Sequence, residues 1–184
     1  MAAVASNAGF GSFRHLAMRF FGALDPRGPD PAEEQWALGW LLPGEQRLWR
    51  RMSGPDRRHA ASVAREVARL LGEAAPARPV MASALLHDVG KVESGLGTFS
   101  RVAVTLAAMG LGRERLLVDA GGRRPAWRRR VNDYLTHDRI GARLLQEAGS
   151  DPMTVAWAGE HHRPASEWTV EPRLADALKA ADGD

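Results

Sequence analysis

The chain is expected to be all-α, and three features of its sequence carry that expectation. Apolar residues recur at three- and four-residue steps through most of the 184 positions, prolines and acidic residues stand where helices begin, and no convincing strand pattern appears. The apolar pattern never keeps a strict seven-residue repeat, so the packing predicted is an irregular helical bundle rather than a coiled coil.

Phe10, Phe13, Ala17, Phe20 and Leu24 fall at helical spacing and predict an amphipathic packing helix. Arg14, His15 and Arg19 interrupt the same stretch, which argues against a secretory signal. Asp30-Pro31-Ala32-Glu33 reads as a helix start: Asp30 can cap, Pro31 suits the first helical position, and Glu33 can reach back as in a capping box. Trp36, Trp40 and Leu41 follow on one face. LLPGEQRLWRRM predicts a short helix with Leu48, Trp49 and Met52 inward; GPDRRHAASVAREVARLLGEA predicts a longer one, opened by Pro55 and ended by AAPARP. Further helices are predicted at 79–88, 99–110, 126–135, 137–148, 152–161 and 172–182, the last two begun by Asp151-Pro152 and Glu171-Pro172. With no repeat and no long linker, residues 1–54 are expected as N-terminal helices packed on a domain formed by 55–184.

Composition limits the chemistry. There is no cysteine, so disulfides, thiolate metal sites and a cysteine nucleophile are excluded, and a metal must be held by histidine and carboxylate ligands. No segment approaches the ~18 consecutive apolar residues of a membrane span. With 45% hydrophobic residues, the expectation is one soluble, cytoplasmic domain with a sizeable core. The formal charge is +3, and Lys91 and Lys179 are the only lysines among the basic residues. That charge is spread along the chain except in RRPAWRRR, residues 123–130.

The histidines continue apolar stripes. His59 shares a helix face with Val63, Val67 and Leu70; His137 shares one with Ile140, Gly141 and Leu144; Val155 and Ala158 lead to His161 and His162; Leu174 and Leu178 lead to Asp182. ALLHDVGKV carries an apolar run straight into His87 and Asp88. Taken singly, an inward histidine reads as a core residue bonded to a backbone carbonyl. Taken as a set, these groups would be costly to bury unpaired, roughly 2–7 kcal/mol for even a neutral polar group, so something must bind them. His15 stands apart and reads as surface or packing.

The order H...HD...H...HH...D, with Gly90 and Lys91 completing HDxGK, resembles the HD-domain superfamily of metal-dependent phosphohydrolases over about residues 55–182, and within it the binuclear branch. The resemblance implies a helical bundle of the HD type. It implies that His59, His87, Asp88 and Asp182 hold one metal and His137, His161 and His162 a second, with Asp88 bridging. The ions would be two divalent transition metals, Fe, Mn, Ni, Co or Zn, and a hydroxide between them would be the nucleophile. Lys91 is then a candidate phosphate contact, acting with Asp88 at the catalytic centre, a plain surface lysine being the other reading, and Gly90 is read as letting the chain turn away. RPASEW after His162 lacks the GYP signature of one cyclic-dinucleotide branch, and Pro55 stands where some relatives place a glutamate for a third metal. The substrate expected is a small phosphoester or nucleotide. The alternatives are an HD-fold di-iron oxygenase and a non-catalytic metal- or nucleotide-binding regulatory module.

Two further segments bear on the substrate. ESGLGTFSR, residues 93–101, reads first as a connecting loop and second as a phosphate cradle using Thr98 and Arg101. Arg163, beside the histidine pair, is a closer candidate for substrate contact, and Asp138 is a candidate for orienting His137, with charge complementarity at the N-terminus of its helix as the other reading. RRPAWRRR reads first as a solvated arginine face with Trp127 packed inward; the alternative is a nucleic-acid surface.

Overall fold

The computed structural model describes residues 25–72, 76–117 and 125–183, and every regular element in them is helical. The stretch from Phe10 to Leu24 with His15, the pair Arg123-Arg124 and the side chain of Thr98 lie outside the described residues. The helices are α1 (Pro31–Gly39), α2 (Pro43–Arg51), α3 (Gly54–Leu71), α4 (Arg78–Leu86), α5 (Thr98–Leu111), α6 (Arg113–Leu116), α7 (Ala126–Leu135), α8 (His137–Glu147), α9 (Pro152–Glu160) and α10 (Pro172–Asp182). Short 3₁₀ turns occupy Val89–Glu93 and Ala165–Glu167.

Helix starts follow the punctuation of the sequence. Asp30 accepts from the Glu33 N–H at 2.8 Å, Ser53 from Asp56 at 3.3 Å, Asp151 from Met153 at 2.9 Å, and Glu171 from Leu174 at 3.0 Å. A proline stands in the first turn of each of these helices, where its missing N–H removes no intrahelical bond. Each cap contributes about 1 kcal/mol. A carboxylate reaching back to the backbone is found at Glu45, whose Oε2 accepts from the Leu42 N–H at 2.7 Å and from Arg78 Nη1 at 3.1 Å.

The central helix is α4. It is apolar all round and buried from Val80 to Leu86, as a helix enclosed by neighbours must be. It packs between α3 and α9; α10 lies on α3, and α8 lies on α9 and on the Val89–Glu93 turn. From the N-terminal helices, Ala37, Leu41, Leu48, Trp49 and Met52 join the same core as Val63, Leu85 and Trp157. On α3 the buried stripe stops at Val67; Leu70, one turn on, projects into solvent at 41% exposure. No helix among the described residues is long and apolar enough to cross a membrane.

Two details of ALLHDVGKV differ from expectation. The helix ends at Leu86, His87 caps it, and Asp88, in the bridge region at φ −97° and ψ 7°, opens the 3₁₀ turn. Gly90 does not serve as a conformational hinge, since its φ is not positive. Its requirement is steric: a Cβ there would run into the His137 carbonyl oxygen and lie 2.6 Å from Gly141 N. The turn therefore sits directly on the start of α8.

Candidate metal centre

The positions expected to matter converge from five places in the bundle. The middle of α3 supplies His59, the end of α4 supplies His87 and Asp88, and the start of α8 supplies His137. The end of α9 supplies His161 and His162, and the last residue of α10 supplies Asp182. They form two groups, Asp88 with His137, His161 and His162, and His59 with His87 and Asp182; within each, one ligand-competent atom per residue lies within 4.8 Å of the others.

Backbone carbonyls aim the imidazoles. A carbonyl can only accept, so Nδ1–H is the donor from His87 to Ala84 O (2.9 Å), from His137 to Tyr134 O (2.6 Å) and from His161 to Ala158 O (3.1 Å). Each acceptor lies three residues earlier, in the last turn of a helix, where carbonyls lack an intrahelical partner. The same bond thus satisfies the helix end and turns Nε2 into the cluster. Tyr134 was not singled out in the sequence, although its place three residues before His137 is the signal. Its ring also stacks on His137 at 5.9 Å and 27°. The acceptor at His137 Nδ1 is the Tyr134 carbonyl, and Asp138, the candidate orienting group, stands buried in the first turn of α8.

The Nε2 atoms meet carboxylate oxygens or one another, and two of them have no hydrogen-bond partner. Asp88 Oδ1 lies 3.1 Å from His137 Nε2 and 3.9 Å from His161 Nε2, while its Oδ2 lies 3.4 Å from His87 Nε2 and receives the Lys91 ammonium. Asp182 Oδ1 lies 3.0 Å from His59 Nε2 and 3.5 Å from His87 Nε2. His137 and His162 bring their Nε2 atoms to 3.1 Å of each other. His87 Nε2 and His161 Nε2 are buried with no hydrogen-bond partner. An imidazole lone pair against a carboxylate oxygen or a second lone pair is repulsive unless a proton or cation lies between. These residues therefore fit a metal: nitrogen and carboxylate donors, converging, with buried donor atoms otherwise unsatisfied.

Charge follows the geometry. Burial opposes a charged His87, but the carboxylates of Asp88 and Asp182 outweigh it and push its pKa up to about 10. Burial likewise opposes a charged Asp88, yet the Lys91 ammonium and His87 hold its carboxyl well below the usual range. Asp182 is also held low, by His87 and by the bond with His59, against its own burial. The opposite holds at the end of α9, where burial, reinforced by neighbouring histidines, pushes His161 down to about 3; at the more exposed His162 the packing around its ring and the adjacent His161 and His137 lower the pKa as well. One end of the cluster favours positive charge, and the other keeps neutral imidazoles ready to donate lone pairs.

The residues expected at the substrate are less uniform. Lys91 is only 13% exposed in its side chain and points into the cluster. Arg163 is exposed immediately after the histidine pair. The 93–101 segment divides into the end of the 3₁₀ turn, a bend at 94–97 and the first turn of α5. Arg101 therefore stands on a helix, where Nη1 binds Asp56 Oδ2 at 2.6 Å and Nη2 reaches the Lys91 carbonyl at 3.4 Å. Trp127 corrects the expectation for RRPAWRRR: it is 60% exposed, not inward, because it stands in the first turn of α7, and Arg128 lies 5.2 Å from its ring centre.

Sequence reasoning missed two further supports. Lys179 Nζ donates to the His161 carbonyl at 3.0 Å, tying α10 to the end of α9. Glu160, buried beside His161, is not aimed at the cluster; its two oxygens accept from Thr169 N–H at 2.7 Å and Thr169 Oγ1 at 2.8 Å. No family model, curated protein or solved structure matches the chain.

Proposed function

We propose that the chain is a metal-dependent phosphohydrolase of the HD-domain type, with two divalent transition-metal ions held in adjoining sites. The observation that carries this reading is the pair of oxygens on Asp88, one turned toward His137 and His161 and the other toward His87. A carboxylate so placed can serve two ligand groups at once, which an imidazole cannot. His162 adds a fourth donor to the Asp88 group, favouring hydrolysis over an oxygenase set with a single histidine there.

On this reading His59, His87 and Asp182 would hold one ion and His137, His161 and His162 the other, with Asp88 available to both. The chemistry that bound ions supply is Lewis acidity toward phosphoryl oxygens and a water acidic enough to ionise near neutral pH. The chain does the rest. Carbonyl-anchored imidazoles hold the donor atoms without needing to reorganise. Lys91, its ammonium paired with Asp88 inside the cluster, would supply positive charge to a phosphate bound there, and Arg163 offers a second cation outside. Arg101 acts through the turn, holding the backbone of Lys91 against α3.

The test is elemental analysis of the purified protein together with hydrolysis of a generic phosphomonoester and diester. About two transition-metal ions per chain are expected, with cleavage that a chelator stops and Asp88→Asn abolishes. Full activity after either treatment overturns the mechanism, as does oxygen consumption by the iron-loaded protein with no ester cleaved.

A further inference from the structure

One stripe of α7 runs from the exposed Trp127 and Arg130 to the half-buried Tyr134 beside the candidate metal centre. Trp127, Arg130 and Tyr134 stand at positions i, i+3 and i+7 of one helix, so they share a face, and Trp127 and Tyr134 are about 10 Å apart along its axis. At the near end the Tyr134 ring stacks on His137 and its hydroxyl bonds Thr105 at 2.9 Å. In the middle, Arg130 lies over the bend after the HD motif, its Nε 3.6 Å from where a Cβ on Gly95 would stand. At the far end Trp127 and Arg128 to Arg130 are all exposed. The alternation is aromatic, basic, aromatic.

We propose that this face binds single-stranded nucleic acid and delivers it to the cluster, so that the ester cleaved lies within a polynucleotide. This rests on the phosphohydrolase reading above and names its substrate class. The exposed Trp127 ring offers a stacking surface that any base can use, the arginines beside it meet phosphates, and the half-buried Tyr134, stacked on His137, marks where the stripe reaches the cluster. A membrane surface would also meet arginine and tryptophan, and Phe99 and Met109 are exposed on α5. The alternation along α7, ending stacked on a ligand histidine, favours the strand. Arg129 contributes less than its neighbours, because Asp133, one turn on, partly neutralises it. Cleavage forms one P–O bond from water and breaks one ester P–O bond. The departing oxygen takes a water proton, leaving an alcohol end and a monoester end, with no oxidant or reductant.

The experiment measures anisotropy of fluorescein-labelled oligo(dT) with the full-length chain in chelator, so that binding is read without cleavage. Trp127→Ala is expected to weaken binding about tenfold or more and Trp127→Phe to restore most of it. Replacing Arg128 and Arg130 by serine is expected to reduce the slope of log affinity against log salt by about 1.4. Binding that ignores Trp127, or tighter association with phosphatidylserine-containing vesicles than with oligo(dT), overturns the proposal. If the same preparation, freed of chelator and reloaded with metal, cleaves a small diester, the phosphohydrolase reading survives that failure. Oligonucleotide binding with no cleavage of either diester by the metal-loaded protein overturns the claim that the bound strand is the substrate.

Discussion

His59 Nε2 and Asp182 Oδ1 lie 3.0 Å apart although 123 residues separate them. The contact closes α10 onto α3, so the last helix completes one ligand group and covers the core in the same step. Asp182→Ala is therefore expected to remove one metal equivalent while leaving the Asp88 group able to hold the other. Elemental analysis after dialysis reads this as a fall from about two ions per chain toward one, with affinity at the lost site down by more than about a hundredfold. Loss of both ions, or of neither, would contradict two adjoining sites.

Gly90→Ala should be far more damaging than its ordinary φ suggests. The added methyl would occupy the space of the His137 carbonyl. Overpacking against backbone costs about 1–3 kcal/mol or more, because a main chain yields less than a side-chain tip. Thermal unfolding is expected to show a fall of roughly 10 °C at this chain length, and metal content should fall with it because His137 moves.

Stability of the chelated protein should peak near pH 6.5. His161 is held below 6.5, so the unfolded chain takes up its proton first; its contribution is whole above pH 6.5 and is lost as pH falls toward 3. His87 is raised to about 10, so its contribution is whole below pH 6.5 and is lost as pH rises through 10. Melting temperature should decline on both sides, by up to roughly 5 °C per pH unit. A curve flat from pH 5 to 9 would contradict the charge assignment.

Asp56 and Arg101 should behave as one unit. Their side chains are 19% and 17% exposed and joined at 2.6 Å. Asp56→Asn and Arg101→Gln are each expected to lower kcat several-fold with little change in KM, and the double variant to be no worse than either. A rise in KM confined to Arg101→Gln would make Arg101 a substrate contact instead.

The helices, their starts and the residues of the histidine and aspartate cluster were legible in the sequence because each is written locally: a cap before a proline, a histidine ending an apolar stripe. Contacts between distant backbones were not. Nothing around Gly90 announces that Gly141 and the His137 carbonyl press against it, and nothing around Arg101 announces Asp56, 45 residues earlier. Trp127 was misjudged for a related reason: an aromatic residue at a helix start is buried only if another element reaches it.

The carbonyls of Ala84, Tyr134 and Ala158 have one more consequence. They belong to the main chain, and no substitution at those positions deletes the acceptor, although proline or a helix-breaking change could displace it. The aim of three imidazoles is thereby insulated from drift in side-chain identity around them. A saturation scan should find His87, His137 and His161 intolerant while the residues that orient them accept exchanges of similar size, a robustness that a ring of carboxylate supports would not have.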